Sequence, residues 1–383
     1  MANSLSVLNP TNWRRIVQDY LNNMLVAREI ANSRFYEELK DGQIIEWPET
    51  TDLRVQSYSA GTDLTIDDTT ATSSQMTINS SRAVTYSYDP VQVKQAKADW
   101  AMGLAKQAAH RMANDVDRAL INTGVSAVSA GNTIAGGTVS TSTMLSLMTQ
   151  AKALLFRNNA TDGELFCLCD ADRIALLTQT FIANGYQVSD STLRNSFEGM
   201  SVGFKVYSTN NLPTSVTLTV DTNPTANDTM TIYGITWTFK ASAASAGEIT
   251  IGANAAATQT NIVNALTGSG SGFVDVSVTD RRKLYNMYLS CSAFSGNVAT
   301  LTGVGKIAGS ETFTAGTNIF GTETTQMLFG RRGAVSLGMQ IEPTVYLREE
   351  PKQLVTNHIT HTLYGTKVFS RDVNRLVKVS HNM

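Results

Sequence analysis

The sequence has few of the residues on which catalytic and metal sites most often depend. Its 383 residues include only 3 Cys and 4 His. An odd number of cysteines in so long a chain argues against a disulfide framework and is typical of a reducing compartment. His358 and His361 stand three apart in a predicted strand, where such positions face opposite sides, so we expect no shared metal. His381, third from the end, is predicted to be frayed and solvated.

The common catalytic and nucleotide-binding motifs are also absent. The sequence contains no HExxH, GxSxG, Walker or GxGxxG pattern. Cys167 and Cys169 lack the second pair that a zinc site needs, so a place in the core is favoured. We interpret the run 281–283 (Arg-Arg-Lys) as a solvated turn, and 330–333 (Gly-Arg-Arg-Gly) as a turn or subunit contact rather than a phosphate cradle. The sequence predicts no enzyme, no metal and no cofactor.

The charge and hydrophobicity of the sequence argue against further classes of protein. The formal net charge is -2 with 16% charged residues, so the basic excess of a nucleic-acid-binding module is missing. No apolar run approaches the ~20 residues of a membrane span, and the N-terminus lacks the apolar core of a signal peptide. We therefore expect a soluble protein, made and used in the cytosol, with no membrane partner and with two or three domains.

One long helix organises the prediction. Residues 89–124 are rich in good helix formers, with Asp89 as N-cap, Pro90 in the first turn and Gly124 at the C-cap. At ~1.5 Å per residue this helix would be roughly 50 Å long. Its apolar stripe winds around the axis, which fits either the core helix of an ordinary α+β domain or a spine crossing a larger subunit.

Two segments before this helix look unable to stand alone. Residues 1–41 form an arm with one amphipathic stretch, which either packs on its own domain or docks on a neighbour. Residues 42–88 alternate like short strands, including 53–58 and 61–68, and have no Lys or His. A two-stranded excursion has too little core for independent stability, so a partner chain is the expected support.

The remainder predicts a compact α+β core with an insertion. A loop over 125–143 is followed by a helix at 144–158, a buried strand in 163–170, a short helix and a strand in 199–213. Residues 215–326 are rich in Thr, Ala, Ser and Gly, and predict strands, including one at 286–291, around one helix at 255–266. An inserted β-rich domain is favoured over a linker. Residues 327–340 read as a short helix or turn before strands at 341–348, 354–364 and 367–379.

The order of these parts, with four local motifs, resembles a known family. The motifs are DGQIIEWP, MANDVDRALI, GMSVGFKVYSTNNLP and YGTKVFSRDVNRLVKV. Together they resemble the major capsid protein of tailed double-stranded-DNA bacteriophages, the Hong Kong 97-type fold, in the branch with an extra domain after the NNLP turn. The resemblance implies an N-terminal arm (1–41), an extended loop (42–88), a peripheral and axial core with a spine helix (89–214 and 327–383) and an inserted β-rich surface domain (215–326).

The family resemblance also implies a function and partners. We expect a non-enzymatic subunit that self-assembles as hexamers and pentamers into an icosahedral shell around packaged double-stranded DNA, held non-specifically. It would be assembled in the host cell cytoplasm and reside in the virion capsid, with a separate scaffolding protein, a portal and a possible cement protein. Because 42–88 has no Lys, the Lys–Asn cross-link of some members cannot start there. The alternatives are a tail-tube or decoration subunit, an encapsulin-like cellular shell protein, or an enzyme with an inserted domain.

Charged and aromatic residues of the arm, the loop and the GRRG turn are the expected intersubunit contacts. These residues are Arg14, Arg15, Glu46, Trp47, Arg54, Asp63, Asp67, Asp68, Arg82, Arg331 and Arg332.

Overall fold

The computed structural model describes residues 29–32, 42–50, 54–66, 71–88, 99–183, 200–350 and 355–382. The chain divides into two compact units. The first comprises Met1–Ala127 and Arg332–Arg375, and the second comprises Val128–Arg331 and Leu376–Met383. Helices and strands are mixed in both units, so the predicted α+β class is confirmed.

Helices and strands are numbered here in chain order over the described residues. The α-helices are α1 (Asp99–Ala127), α2 (Thr141–Arg157), α3 (Ala171–Ala183), α4 (Ala255–Thr267) and α5 (Val278–Asn286), and the 3-10 helices are Ala130–Asn132 and Ser370–Arg375. The strands are β1 (Ala31–Asn32), β2 (Ile44–Thr50), β3 (Ala71–Thr77), β4 (Ser80–Tyr88), β5 (Thr133–Thr138), β6 (Leu165–Cys169), β7 (Met200–Ser201), β8 (Phe204–Ser208), β9 (Pro213–Thr219), β10 (Thr229–Ile232), β11 (Ile235–Lys240), β12 (Glu248–Thr250), β13 (Phe273–Val274), β14 (Ser290–Cys291), β15 (Val298–Val304), β16 (Ser310–Glu311), β17 (Ile319–Phe320), β18 (Thr324–Arg331), β19 (Val335–Glu350), β20 (Val355–Lys367) and β21 (Leu376–Asn382).

The first unit combines a four-stranded sheet, the long helix α1 and a two-stranded ribbon. The sheet order is β1-β19-β20-β4, with β19 and β20 forming a long antiparallel pair. Helix α1 packs against β4, β19 and β20. Its buried side includes small residues such as Ala105, Ala109 and Ala113, which allow close approach of the sheet. Within the described part of the chain, β2 and β3 form a separate two-stranded sheet, the ribbon, defined here as the described residues of 44–77.

The C-terminal end of α1 differs from the prediction. The helix continues through Gly124 to Ala127, so the assignment of Gly124 as a C-cap is wrong. Val125 is buried beyond the glycine. Burial of this apolar side chain outweighs the ~1 kcal/mol that a glycine costs inside a helix. The predicted N-cap, Asp89, and Pro90 lie outside the described residues.

A ten-stranded sheet dominates the second unit. Its main path is β14-β15-β9-β18-β6-β8-β7, with β21 joining β18 to β5 and β17 pairing with β9. Helices α2 and α3 supply apolar side chains to a core that includes Cys167, Cys169 and Phe329. The predicted helix at 144–158 and the buried strand in 163–170 are confirmed as α2 and β6. The predicted loop over 125–143 is wrong in part, because it contains a 3-10 turn and β5.

The segment 215–326 has its own core but shares a sheet with the rest of its unit. A five-stranded sheet, β13-β12-β11-β10-β16, packs with α4 around Trp237, Phe239 and Ile262. Strand β9 lies between β15 and β18, so the large sheet runs through the start of the segment without a break. The division of the chain into arm, loop, core and insertion stays a prediction.

Four other local predictions are wrong in whole or in part. The strand predicted at 286–291 is limited to β14 (Ser290–Cys291), because the helix α5 extends to Asn286; its N-cap Ser277 accepts from the Asp280 backbone N–H. Residues 327–340 belong mainly to β18 and β19 rather than to a short helix or turn. The predicted strand 367–379 is interrupted by the 3-10 turn Ser370–Arg375. Within 54–66 no strand forms, although strands were expected at 53–58 and 61–68.

Candidate assembly surface

The ribbon is a regular antiparallel pair with an irregular end. Strands β2 and β3 are in register from Ile44↔Thr77 to Thr50↔Ala71. The amide of Gln75 donates to Glu46 Oε1 across the pair at 2.6 Å. Residues 54–66, called the tip loop here, are exposed in nearly every position. The loop turns at Ser59, whose carbonyl accepts from Thr62 N at 3.2 Å.

Apolar side chains of the tip loop point into solvent. Val55 is 101% exposed and Ile66 is 92% exposed, and Tyr58 and Leu64 are also exposed. Gln56 holds the two arms of the loop together, because its side chain donates to Thr65 O at 2.5 Å and accepts from Thr65 N at 3.1 Å. A segment that exposes several large apolar side chains is typical of a protein–protein contact.

The base of the ribbon packs on its own unit. Alternate positions of β2 share one face, and Ile45, Trp47 and Glu49 all use that face against residues 369–371. The Trp47 ring lies 6.2 Å from the Phe369 ring and 4.7 Å below the Arg371 guanidinium. Glu49 Oε1 accepts from the Ser370 backbone N at 3.2 Å. Ile45 joins Met76, Ile78 and Phe369 in a small apolar cluster.

A second polar contact joins β4, β20 and α1 close to this base. Asp115 Oδ2 accepts from the Tyr364 hydroxyl at 2.7 Å and lies 3.3 Å from Arg82 Nε. Its other oxygen faces Arg118 at 3.4 Å. Burial, and then the Asp115 charge, raise the pKa of Tyr364 above its usual value. The phenol therefore stays protonated and acts as a donor.

The two arginines of the GRRG turn also contact their own chain. Arg331 Nη1 lies 3.1 Å from Asp162 Oδ2 within the second unit. Arg332 Nη2 lies 3.9 Å from Glu29 Oε2 within the first. Both pairs are partly exposed, so each contributes little to stability.

The structure brings only some of the predicted contact residues together. Glu46, Arg54 and Asp63 are exposed on the ribbon and its tip loop. Trp47, Arg82, Arg331 and Arg332 have partners within the chain. Their roles between subunits stay predictions, and Arg14, Arg15, Asp67 and Asp68 lie outside the described residues.

Sequence reasoning missed the partners that hold the ribbon base. Phe369 and Arg371 follow the last long strand, more than 300 positions from the Trp47 they contact. The alternation Ile45, Trp47, Glu49 could have indicated a buried face on β2, but no local pattern names the segment that covers it.

Several titratable side chains outside the ribbon are buried and have structural roles. The prediction that His381 is frayed is wrong, because it lies buried in β21, where Arg173 Nε donates to its Nδ1 at 3.2 Å. Burial lowers the pKa of His381. His358 is buried, stacks on Tyr86 at 4.9 Å, and burial lowers its pKa to about 4. Burial raises the pKa of the Cys167 thiol, as expected for a core cysteine.

The basic run 281–283 is not a solvated turn. Arg281 is buried on α5, pairs with Asp275 and donates to the Leu266 and Ala265 carbonyls at the end of α4. Over the part of the chain that the structure describes, no three His, Cys, Asp or Glu side chains are grouped to hold a metal ion. No helix among those same residues is both long and apolar enough to cross a membrane.

Three solved structures show what the chain resembles as a whole. A chain of Mycobacterium phage Che8 matches with TM-score 0.54 and 12% identity, over 93% of this chain and 90% of that one. The capsid structure of cyanophage P-SCSP1u also gives TM-score 0.54 and 12% identity, over 93% and 88%. The mature capsid of bacteriophage PhiM1 gives 0.51 and 10%, over 91% and 87%.

Sequence comparison adds no relative, because no family model and no curated protein matches. At this level of identity the likeness is one of fold. The chain has the fold of phage capsid subunits, and the resemblance suggested by the sequence is confirmed at that level.

Proposed function

We propose that this chain is a major capsid protein that assembles with copies of itself into a closed icosahedral shell around phage double-stranded DNA. The observation that carries the proposal is the fold likeness to phage capsid structures over about nine-tenths of the chain. A shared fold alone does not fix function, so a physical argument from the chain itself is also needed.

The ribbon supplies that argument. Its tip loop exposes Val55, Tyr58, Leu64 and Ile66, which would be costly to leave in water. A second copy is the occupant that the proposal requires, because the tip loop exposes apolar side chains, has no net charge and repeats on every subunit. Many weak contacts of this kind become collectively strong when a shell closes.

The proposal extends to arrangement and partners. Subunits would form hexamers and pentamers, with a separate scaffolding protein, a portal and a possible cement protein during assembly in the host cytoplasm. A chain of net charge -2 suits a non-adhesive lining for packaged DNA. The segment 215–326 would project outward and stabilise the shell or meet its environment. If its deletion prevents the rest from folding, that segment has a different role.

Electron microscopy of the purified chain, alone and with the scaffolding protein of its phage, tests the proposal. Closed shells are expected from the unmodified chain. A variant carrying Val55→Ser, Leu64→Ser and Ile66→Ser should stay folded but fail to form shells. A control, Ile319→Ser, changes a 54% exposed residue on β17 and should assemble normally.

A deletion variant provides a second test of the ribbon's role. Trimming residues 56–80 should leave a soluble subunit that builds no shells. Normal particles from either ribbon variant would refute the role given to the ribbon. Absence of shells from the unmodified chain under every condition would favour a tail-tube or decoration subunit, and shells filled with cellular cargo would favour an encapsulin-like protein.

A further inference from the structure

One face of β2 packs against residues 369–371 of its own unit, and these contacts bear on the direction in which the ribbon extends. Trp47, Glu49, Phe369, Ser370 and Arg371, together called the clasp, join the ribbon to the 3-10 turn that follows β20. Three kinds of contact meet here: a ring pair, a guanidinium over a ring, and a carboxylate accepting from a backbone N–H. Each has a directional preference, so their combination restricts rotation as well as separation.

A close backbone contact with β20 also holds the base of the ribbon. A Cβ on Gly365 of β20 would lie 2.6 Å from Thr77 O and 3.2 Å from the Ile78 Cα. The ribbon therefore crosses β20 at a point where only glycine fits. The amide of Gln340 also donates to Gly42 O at 2.9 Å, at the start of the ribbon.

The opposite face of the ribbon is arranged differently. Glu46, which follows Ile45 and points away from the clasp, accepts across the pair from the Gln75 amide. The tip loop beyond has its own internal bonds through Gln56. The described ribbon is thus held at its base, while the tip loop exposes its apolar side chains.

We propose that the clasp sets the angle at which the ribbon leaves the first unit, and that this preset angle is required for copies of the chain to assemble. Only the second part of this inference, that the angle is required for assembly, rests on the proposed function. A ribbon fixed before contact loses less conformational entropy on docking than a swinging one, so weak tip contacts suffice. Arg371 and Trp47 are positioning residues, because they act through the ribbon and need not touch the neighbouring copy.

The distance between two spin labels tests whether the clasp sets the angle of the ribbon, and this measurement does not require assembly. Ser73→Cys on the exposed side of β3 and Gln107→Cys on the exposed side of α1 would carry the labels, in a Cys291→Ser background. The remaining cysteines, Cys167 and Cys169, are fully buried. Dilution with unlabelled chain limits the reading to distances within one chain. The unmodified clasp should give one narrow distance.

Arg371→Ala is the main variant, because Arg371 is about half exposed and the buried Asp372 that it also faces keeps its closer ion pair with Arg375. It should lose the single narrow distance while the thermal unfolding temperature stays close to that of the parent, and Trp47→Ala should lose it as well. The matched control is Lys205→Ala, which removes a similar cation over a ring, 5.2 Å from Tyr207 in the second unit. This control should keep the narrow distance.

The outcomes separate the two proposals. If Arg371→Ala and Trp47→Ala keep the narrow distance, the clasp does not set the angle and the inference is overturned. If the distance broadens but shells form as efficiently as before, the angle is not required for assembly. If the unmodified chain forms no shells, the proposed function fails, while the distance data still decide whether the clasp sets the angle.

Discussion

The hydroxyl of Tyr364 donates to Asp115 across 249 positions of sequence, at 2.7 Å. Tyr364 is buried and Asp115 is mostly buried, so the bond is sheltered from water. The carboxylate also faces Arg82 of β4, the strand that leads away from the ribbon. One side chain of α1 therefore connects the long helix to two neighbouring strands of the sheet.

Tyr364→Phe should lower the free energy of unfolding by about 2 kcal/mol, because a buried carboxylate loses a charge-assisted donor. Urea unfolding followed by circular dichroism would measure the change. Tyr346→Phe in the same unit removes a hydroxyl from a side chain that is 52% exposed, and should have almost no effect. Equal effects from both substitutions would show that the Asp115 contact contributes nothing special.

Gly365→Ala should destabilise the first unit by about 2 kcal/mol, since the added methyl group would overlap the Thr77 carbonyl and the ribbon would have to move. Differential scanning calorimetry measures the loss. Gly131→Ala is the matched control, because a Cβ there meets nothing within 4 Å. A neutral Gly365→Ala would mean that the ribbon does not cross β20 as described.

His358 should make stability fall as the pH is lowered. Burial holds its folded pKa at about 4, against an ordinary value of 6.5. Below pH 6.5 the unfolded chain takes up a proton that the folded chain refuses. The loss therefore grows from pH 6.5 down to about pH 4 and then levels off, at about 3 kcal/mol.

Comparison with His358→Phe isolates this effect. Phenylalanine can still stack on Tyr86 but cannot titrate. Burial raises the pKa of Asp372 in the same unit, a shift that acts in the opposite direction with falling pH. The difference between the two proteins in urea unfolding from pH 7 to pH 4 should show the loss. A pH-independent difference would contradict a buried neutral imidazole.

Arg281→Met should destabilise the second unit by about 3 kcal/mol. The substitution leaves the buried carbonyls of Ala265 and Leu266 without their donor, and Asp275 without its ion pair. Fluorescence of Trp237, in the core of segment 215–326, would follow unfolding. Arg282→Met on the exposed side of α5 serves as the control and should be neutral. If both variants behave alike, Arg281 is a surface residue after all.

Elements with a strong local pattern could be predicted from the sequence. Helices α2 and α4 followed from their apolar positions at helical spacing, and the all-buried strand β6 followed from its apolar run. Helix α5 was missed because its cap, Ser277 with Asp280, is followed by a single buried apolar position, Leu284. The predicted strand 341–348 lies within β19, but β18 and the start of β19 were missed because Gly333 and Gly338 gave residues 327–340 the appearance of a turn.

The candidate assembly surface was predicted only in outline. The alternation of residues 42–88 indicated a ribbon, and the ribbon exists. The sequence could not show which face of the ribbon packs on its own unit and which face stays exposed. Trp47 looked available for a neighbour, whereas its ring is covered by Phe369 and Arg371, and only long-range packing brings those residues together.

Strand β9 pairs with β15 on one side and with β18 on the other, and hydroxyl bonds between Ser215 and Thr324 and between Thr214 and Thr325 reinforce the seam. The pairing of β9 therefore fixes the start of segment 215–326 to the large sheet of its own unit. A foreign peptide spliced into the loop 241–247 would be carried at a defined tilt. In a shell built from this chain, every copy of such a graft would face the same way relative to its own subunit.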